Sequence, residues 1–384
     1  MIKLLLISNR YPAHPDDGAS PFVFDFVKRL RQKDIDVTVL TPYHKADRYD
    51  DEYNAIRFKW SEAKKTIGSL SKYSPLSWYK IYKYFKNGVS QSIALHEKNN
   101  FDFTLALWSA PSGIFAKKLK DMYGMPYAVW CLGSDIHSYA QLPVVGKKII
   151  EVIQAADRSY SDGIALSEMA EKLAGRECHF LPSMRKVDFR EEEQAGTENL
   201  FVCPGRVCKS KGVFDLLEAF HLIIKEFPSW SLCYIGDGPD ISKLQNKIKT
   251  LGLQSRVKNL GFLPREKMFR IISSAAAAVI PTHVDSLPLT FSEAMQLKKP
   301  VIVTDIGDLK HFTEKYHTGI VVPPNSPKEL ANAMKNIIQG MSFDTRRFAL
   351  CVEELDVDRS ADTFTEWLKN HLSHGANQKE PALC

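Results

Sequence analysis

The sequence predicts an α/β protein made of two successive parallel-sheet domains, and three observations carry that reading. The chain has 384 residues, more than one hydrophobic core ordinarily organises, so two domains are expected. Short aliphatic or β-branched runs alternate with amphipathic stretches from end to end, the pattern of parallel strands joined by helical crossovers. The alternation pauses at 190–199, REEEQAGTEN, which is polar and acidic without apolar periodicity, and then restarts.

In the first half, KLLLIS, DVTVLTP, AIRFKW, FDFTLALW, YAVWCL, GIALS and HFLP read as strands. PFVFDFVKRLRQK, SGIFAKKLKDMYG and GKKIIEVIQAAD read as the helices between them. The second half repeats the scheme with LFVCPGR, the helix GVFDLLEAFHLIIKEF, SLCYIGDG, the helix ISKLQNKIKTLGL, VKNLGF, AAAVIPT and PVIVTD. The expected domains are 1–190 and 200–350, with a linker at 191–199. A C-terminal segment, 351–384, should supply a closing helix, SADTFTEWLKNHL, that packs back toward the N-terminal domain, followed by a polar tail. Ligands of open parallel sheets bind beyond the carboxyl ends of the strands, so a cleft between the two units is the expected site.

Composition narrows the class. With 44% hydrophobic and 25% charged residues the chain is globular, and a net charge of +6 favours an anionic partner without singling out nucleic acid. The basic residues follow no helix-turn-helix, zinc or RNA-recognition pattern. MIKLLLISNR has too short an apolar core for a signal peptide, and no run approaches the length of a transmembrane helix. Seven scattered cysteines fit reduced thiols in a cytoplasmic protein better than disulfides or a zinc site. There is no GxxxxGK[ST] loop, and the first strand-to-helix connection has no GxGxxG, which disfavours a P-loop NTPase and a nicotinamide dinucleotide site.

Several motifs point to anion chemistry. The strand LFVCP runs into Gly205-Arg206-Val207-Cys208-Lys209-Ser210-Lys211-Gly212, directly before a helix. Three cations there have the wrong sign for the helix dipole, a penalty of roughly 0.3–1 kcal/mol for each close cation. A solvated basic loop is one reading; a phosphate drawn to the cations and helix amides is the other. In Tyr234-Ile235-Gly236-Asp237-Gly238-Pro239, Gly236 and Gly238 allow either a simple turn or close backbone approach to a ligand. The loop 9–21, NRYPAHPDDGASP, has the length of a functional connection, and Gly18 and Ser20 sit where backbone amides could face the cleft.

The stretch Asp285–Ala294, DSLPLTFSEA, places two acids around a helix start. Pro288 pushes that start close to Thr290, and Thr290 with Glu293 then reads as a Thr-x-x-Glu capping box. The box leaves Asp285, Ser286 and His283 without a structural task. A nucleotide sugar offers them one, since carboxylates accept from vicinal hydroxyls.

Taken in order, PGRVCKSKGVFDLLEAF, YIGDGPDISKLQNKIKTLGL, VKNLGFLP, VIPTHVDSLPLTFSEAM and KKPVIVTD resemble retaining glycosyltransferases of family 4, the glycosyl transferases group 1. The resemblance covers roughly residues 1–370 and implies the GT-B fold of two facing Rossmann-like domains with an interdomain cleft. It implies that Arg206 and Lys211 bind the donor diphosphate, that Glu293 holds the nucleotide ribose, and that Asp285 contacts the donor sugar. The backbone amides of Leu289 and Thr290 then approach the phosphates, with Gly18, Ser20, Gly236, Gly238 and Ser286 also on the donor side. Two departures stand out: Asp285 replaces the commoner Glu, and Leu132 in AVWCLGSDI occupies a position where many members carry His. Asp135 remains a candidate sugar or acceptor contact, and nearby His137 reads as an ordinary surface or helix-start histidine ahead of the alternative, a substitute for the missing His.

The resemblance implies transfer with retention and departure of a nucleoside diphosphate, whose charge Arg206, Lys211 and a helix N-terminus would stabilise. No convincing Asp-x-Asp loop occurs, so no cofactor or metal is expected. Residues 56–86 mix Lys and Arg with Trp, Tyr and Phe around one acid, which suits either an anionic membrane surface or a basic helix whose aromatics turn inward. The first reading implies a cytoplasmic, peripheral protein with a lipid-linked or polysaccharide-precursor acceptor. Two rival functions share the fold: a nucleotide-sugar epimerase or hydrolase, and an inactive nucleotide-sugar-binding protein.

Overall fold

A computed structural model of the chain describes residues 1–46, 48–62, 66–71, 74–189 and 199–377. Two compact units are present: Met1–Ser183 together with Val357–Cys384, and Met184–Asp356. Apart from Asn199, the segment expected as a linker lies outside the described residues.

The first unit carries β1 (Ile2–Ser8), β2 (Ile35–Pro42), β3 (Ile56–Phe58), β4 (Phe103–Leu107), β5 (Tyr127–Cys131), β6 (Arg158–Ser161) and β7 (His179–Phe180). They form one sheet in the order β3-β2-β1-β4-β5-β6-β7, every pairing parallel. Central strands β4 and β5 are buried along their whole length, as expected of a sheet covered by helices on both faces. One expectation is corrected here. GIALS is not a strand: Gly163 caps the helix Ile164–Ala174, and the strand lies just before it, in RSYS. Only Tyr160 of that segment is a large apolar side chain, fully buried, so no aliphatic run marks the strand.

The helix Val357–Asn377 belongs to this first unit. Phe364 packs against Phe26, Phe103 and Tyr160, and Trp367 against Phe103 and Tyr160. Ser360 Oγ donates to the Pro182 carbonyl at 2.9 Å, Asp358 pairs with Arg29 of the helix Pro21–Arg31, and Asp362 pairs with Lys33 in the turn just after it. The apolar contacts dominate, because exposed ion pairs contribute only about 0–1 kcal/mol.

The second unit carries β8 (Leu200–Pro204), β9 (Ser231–Ile235), β10 (Val257–Asn259), β11 (Ala277–Ile280), β12 (Val301–Thr304) and β13 (Gly319–Val322). Its parallel order, β10-β9-β8-β11-β12-β13, is the 3-2-1-4-5-6 winding of a dinucleotide-type sheet. The winding direction reverses between β8 and β11, so the loops leaving those two strands flank the switch point where such sheets receive ligands. Residues following Met184 join this unit through Gln296, whose Nε2 donates to the Arg185 carbonyl (2.9 Å) and whose Oε1 accepts from the Val187 amide (2.8 Å).

Candidate active site

The loop after β8 is built by close backbone approach. Gly212 has φ +67° and caps the helix Val213–Ile223; a Cβ there would stand 1.8 Å from the Pro281 carbonyl oxygen. Gly212→Ala therefore combines a left-handed backbone cost of about 1–2 kcal/mol with a collision against fixed main chain. A urea titration should show a loss of at least about 2 kcal/mol; an unchanged midpoint would mean that the approach is looser than this. The two glycines after β9 serve the same kind of contact. A Cβ on Gly236 would lie 2.0 Å from the Gly205 carbonyl oxygen, and one on Gly238 would lie 2.1 Å from that of Val207. Gly205 and Val207 amides also donate to Ile235 and Asp237 carbonyls at 2.9 and 3.0 Å. Packing of the two loops is thus sufficient to require both glycines.

In this loop Arg206 is exposed, with no hydrogen bond or ion pair among the described residues. Lys211, by contrast, is ion-paired with Asp285 across the switch point. Both side chains are partly exposed, so the pair adds little stability; its effect is to aim the ammonium group. The loop after β11 is stitched to the loop after β8 elsewhere too. The His283 amide donates to the Ser210 carbonyl at 2.8 Å, and His283 Nε2 lies 2.6 Å from Asp215 Oδ2 in the first turn of the helix Val213–Ile223. His283 therefore has a structural task, contrary to expectation. The Ser286 carbonyl accepts from the Asp308 amide at 3.0 Å, and Gly307, at φ +55°, leaves room for the Asp285 and Ser286 carbonyls.

The expected capping box does not form. The helix runs Leu289–Gln296 with Pro288 as its N-cap and no side-chain cap, and the Phe291 amide donates to the Pro288 carbonyl at 2.9 Å. Proline tolerates this position because the first helical amides have no partner within the helix anyway. Thr290 is already inside the first turn, and Glu293 points elsewhere. Its carboxylate is 3% exposed and meets Arg185 Nη2 at 2.8 Å, with the Arg185 side chain 9% exposed and its guanidinium over the Phe269 ring. Burial raises the Glu293 pKa, while Arg185 and Arg265 pull it down. Arg185 escaped the sequence reading because it lies in the isolated stretch PSMRK, far from any motif.

In the first unit the equivalent switch point lies between β1 and β4, and Asn9 bridges their loops by accepting from Ser112 Oγ at 2.8 Å. Asp17 organises the loop of residues 9–20, accepting from the Ala13 and Ala19 amides (both 3.0 Å) and meeting His44 Nε2 at 2.8 Å. Burial pushes its pKa up, but these bonds outweigh burial and hold it below the usual value. Arg57 Nη1 sits 3.0 Å from His44 Nδ1, which makes that nitrogen the acceptor and Nε2 the donor toward Asp17. Gly18 is exposed, and Ser20, at φ +56°, is the N-cap of the helix Pro21–Arg31.

Asp135 is fully buried, and its carboxylate accepts from the Ser109 amide (2.8 Å), Ser109 Oγ (2.9 Å) and the Leu132 amide (3.2 Å). Burial raises its pKa against the pull of those bonds. Asp135 pins the loops after β4 and β5 together from a position with no exposed surface. His137, in the π-helical turn Asp135–Tyr139, has a buried Nε2 without a hydrogen-bond partner among the described residues.

Two doubly wound parallel-sheet units define the class, a GT-B glycosyltransferase fold, and the solved structures agree. Sucrose-phosphate synthase from Thermosynechococcus elongatus superposes with a TM-score of 0.78 at 16% identity, covering 97% of this chain and 100% of that one. Anabaena HepE in complex with UDP-glucose gives 0.75 at 16% identity, covering 96% and 100%. Residues 184–347 match the family model Glycosyl transferases group 1. A putative teichuronic acid biosynthesis glycosyltransferase, TuaC of Bacillus subtilis (strain 168), is 25% identical over 87% of this chain and 88% of its own length. Alpha-D-kanosaminyltransferase of Streptomyces kanamyceticus is 28% identical over 40% of each chain.

Proposed function

We propose that the protein is a retaining, metal-independent hexosyltransferase that moves a sugar from a nucleoside-diphosphate sugar to a lipid-linked or polysaccharide-precursor glycan. The observation that carries the reading is the switch point of the second unit. An exposed, uncommitted Arg206 and an aimed Lys211 stand there beside the start of the helix Val213–Ile223. A departing diphosphate gathers negative charge as the anomeric bond breaks, and fixed cations with helix amides stabilise that charge more than they stabilise the bound donor. In this reading Asp285 takes a donor-sugar hydroxyl and Glu293, steadied by Arg185, the ribose. The amides of Leu289 and Thr290, with Ser286, Gly236 and Gly238, are the donor contacts of the second unit in this reading, and Gly18 and Ser20 are those of the first. The likeness to a teichuronic acid biosynthesis protein supports a polymer-precursor acceptor; that this acceptor is met on the cytoplasmic side of a membrane is part of the proposal.

The test is transfer from UDP-, GDP- and ADP-sugars to such acceptors in EDTA. Transfer with retained anomeric configuration and undiminished rate is expected. Activity abolished by EDTA and restored by manganese would refute metal independence. Release of free sugar or an epimer at full rate without acceptor would refute transfer.

A further inference from the structure

The described residues among 56–86 divide sharply in the structure. Phe58, Trp60 and Tyr84 turn inward and pack on one another and on Phe115, so part of the aromatic content belongs to the core. The helix Pro75–Asn99 then shows a second face. Leu76, Trp78, Tyr79 and Tyr82 are 58%, 60%, 53% and 61% exposed, and Trp78 is the one exposed tryptophan of the chain's six. At about 100° per residue these four fall within an arc of about 160°, opposite the buried Ser77, Tyr84 and Gly88.

Charge tells what the face suits. The first acid of the helix is Glu97, near its far end, so the turns that carry this face, residues 75–86, hold no carboxylate of their own. Lys83 and Lys86 are exposed within it, Lys83 lying 5.0 Å from the Tyr79 ring centroid. Lys80 is ion-paired with Glu62, the acid of the region, which neutralises both. Aromatic rings beside unneutralised lysines match the interfacial layer of an anionic bilayer, where rings sit at headgroup depth and ammonium groups meet phosphate. Protein partners of this size usually leave arginine rather than lysine at the centre of the contact.

We infer that the exposed face of the helix Pro75–Asn99, formed by Leu76, Trp78, Tyr79, Tyr82, Lys83 and Lys86, docks the protein on an anionic lipid surface. The inference rests on the reading that the acceptor is met at a membrane, but its test needs neither donor nor acceptor. A failure of transfer and a failure of docking are therefore separate results.

The experiment is co-sedimentation of the full chain with vesicles of phosphatidylcholine alone or mixed with phosphatidylglycerol, at low and high salt. The wild type should pellet with the mixed vesicles, lose binding in salt, and stay in solution with phosphatidylcholine. Lys83→Gln/Lys86→Gln should weaken partitioning by about thirty-fold, each lysine contributing about five-fold. Trp78→Ser/Tyr82→Ser should weaken it comparably, and both variants should keep the wild-type melting temperature, because neither pair packs in the core. A wild type that stays in solution with the anionic vesicles overturns the inference, as does binding unchanged in either variant. Concentration-dependent dimerisation abolished by Trp78→Ser, without vesicle binding, would assign the face to a second copy of the chain instead.

Discussion

Arg185→Met should cost the second unit about 3–5 kcal/mol at neutral pH, because it strands a buried carboxylate. Arg185 and Glu293 are both nearly inaccessible, and Phe269 covers the guanidinium. The double variant Arg185→Met/Glu293→Gln should regain most of the loss, since removing both charges removes the desolvation penalty with them. The pH dependence gives a second signature. Burial already raises the Glu293 pKa above 4.5, with Arg185 and Arg265 opposing it. A carboxyl whose folded pKa exceeds its unfolded one binds its proton more tightly when folded, so its contribution improves as pH falls through the raised value. Without Arg185 that value rises further. The deficit of Arg185→Met should therefore shrink between about pH 7 and about pH 5, as read by denaturant midpoints. A deficit that is constant with pH, or smaller than about 1 kcal/mol, would mean that water reaches Glu293.

Arg206→Ala and Lys211→Ala should each lower kcat for sugar transfer by about a hundred- to a thousand-fold, the usual cost of losing one fixed partner of developing charge. Stability should move little, because Arg206 is exposed and the Lys211–Asp285 pair is partly solvated. Arg206→Lys should recover only part of the rate, since a single ammonium cannot reproduce the two-pronged geometry of a guanidinium on phosphate. Turnover within a few-fold of wild type in both alanine variants would move the diphosphate away from the end of β8.

Much of the fold was legible because a parallel sheet covered on both faces writes itself as apolar runs. VIVT and FTLAL are such strands, buried throughout. RSYS was hidden because its burial depends on one tyrosine and on small hydroxyls that bond locally, such as Ser161 Oγ to the Gly163 carbonyl. The Thr-x-x-Glu box was misread for a positional reason: Pro288 itself occupies the N-cap, which leaves Thr290 two places too far into the helix. Within the second unit, the loops that carry Arg206, Lys211 and Asp285 were found by local chemistry, cations before a helix and an acid before a proline. Arg185 could not be found that way, since its meaning lies entirely in a partner distant along the chain. Asp135 shows the opposite difficulty. A lone acid beside a Gly-rich turn reads as a ligand contact until its three hydrogen bonds are seen.

The helix Val357–Asn377 has a consequence for how the chain is made. It lies in the first unit but is the last described helix to leave the ribosome, after the whole of Met184–Asp356. Phe26, Phe103 and Tyr160 therefore emerge long before Phe364 and Trp367 arrive to cover them. During that interval the earliest-synthesised sheet is incomplete while the later one can close on its own residues. The order of maturation along this polypeptide is thus partly reversed: the second unit can finish first, and the N-terminal unit waits for the C-terminal helix with a sticky aromatic surface that a chaperone could shield.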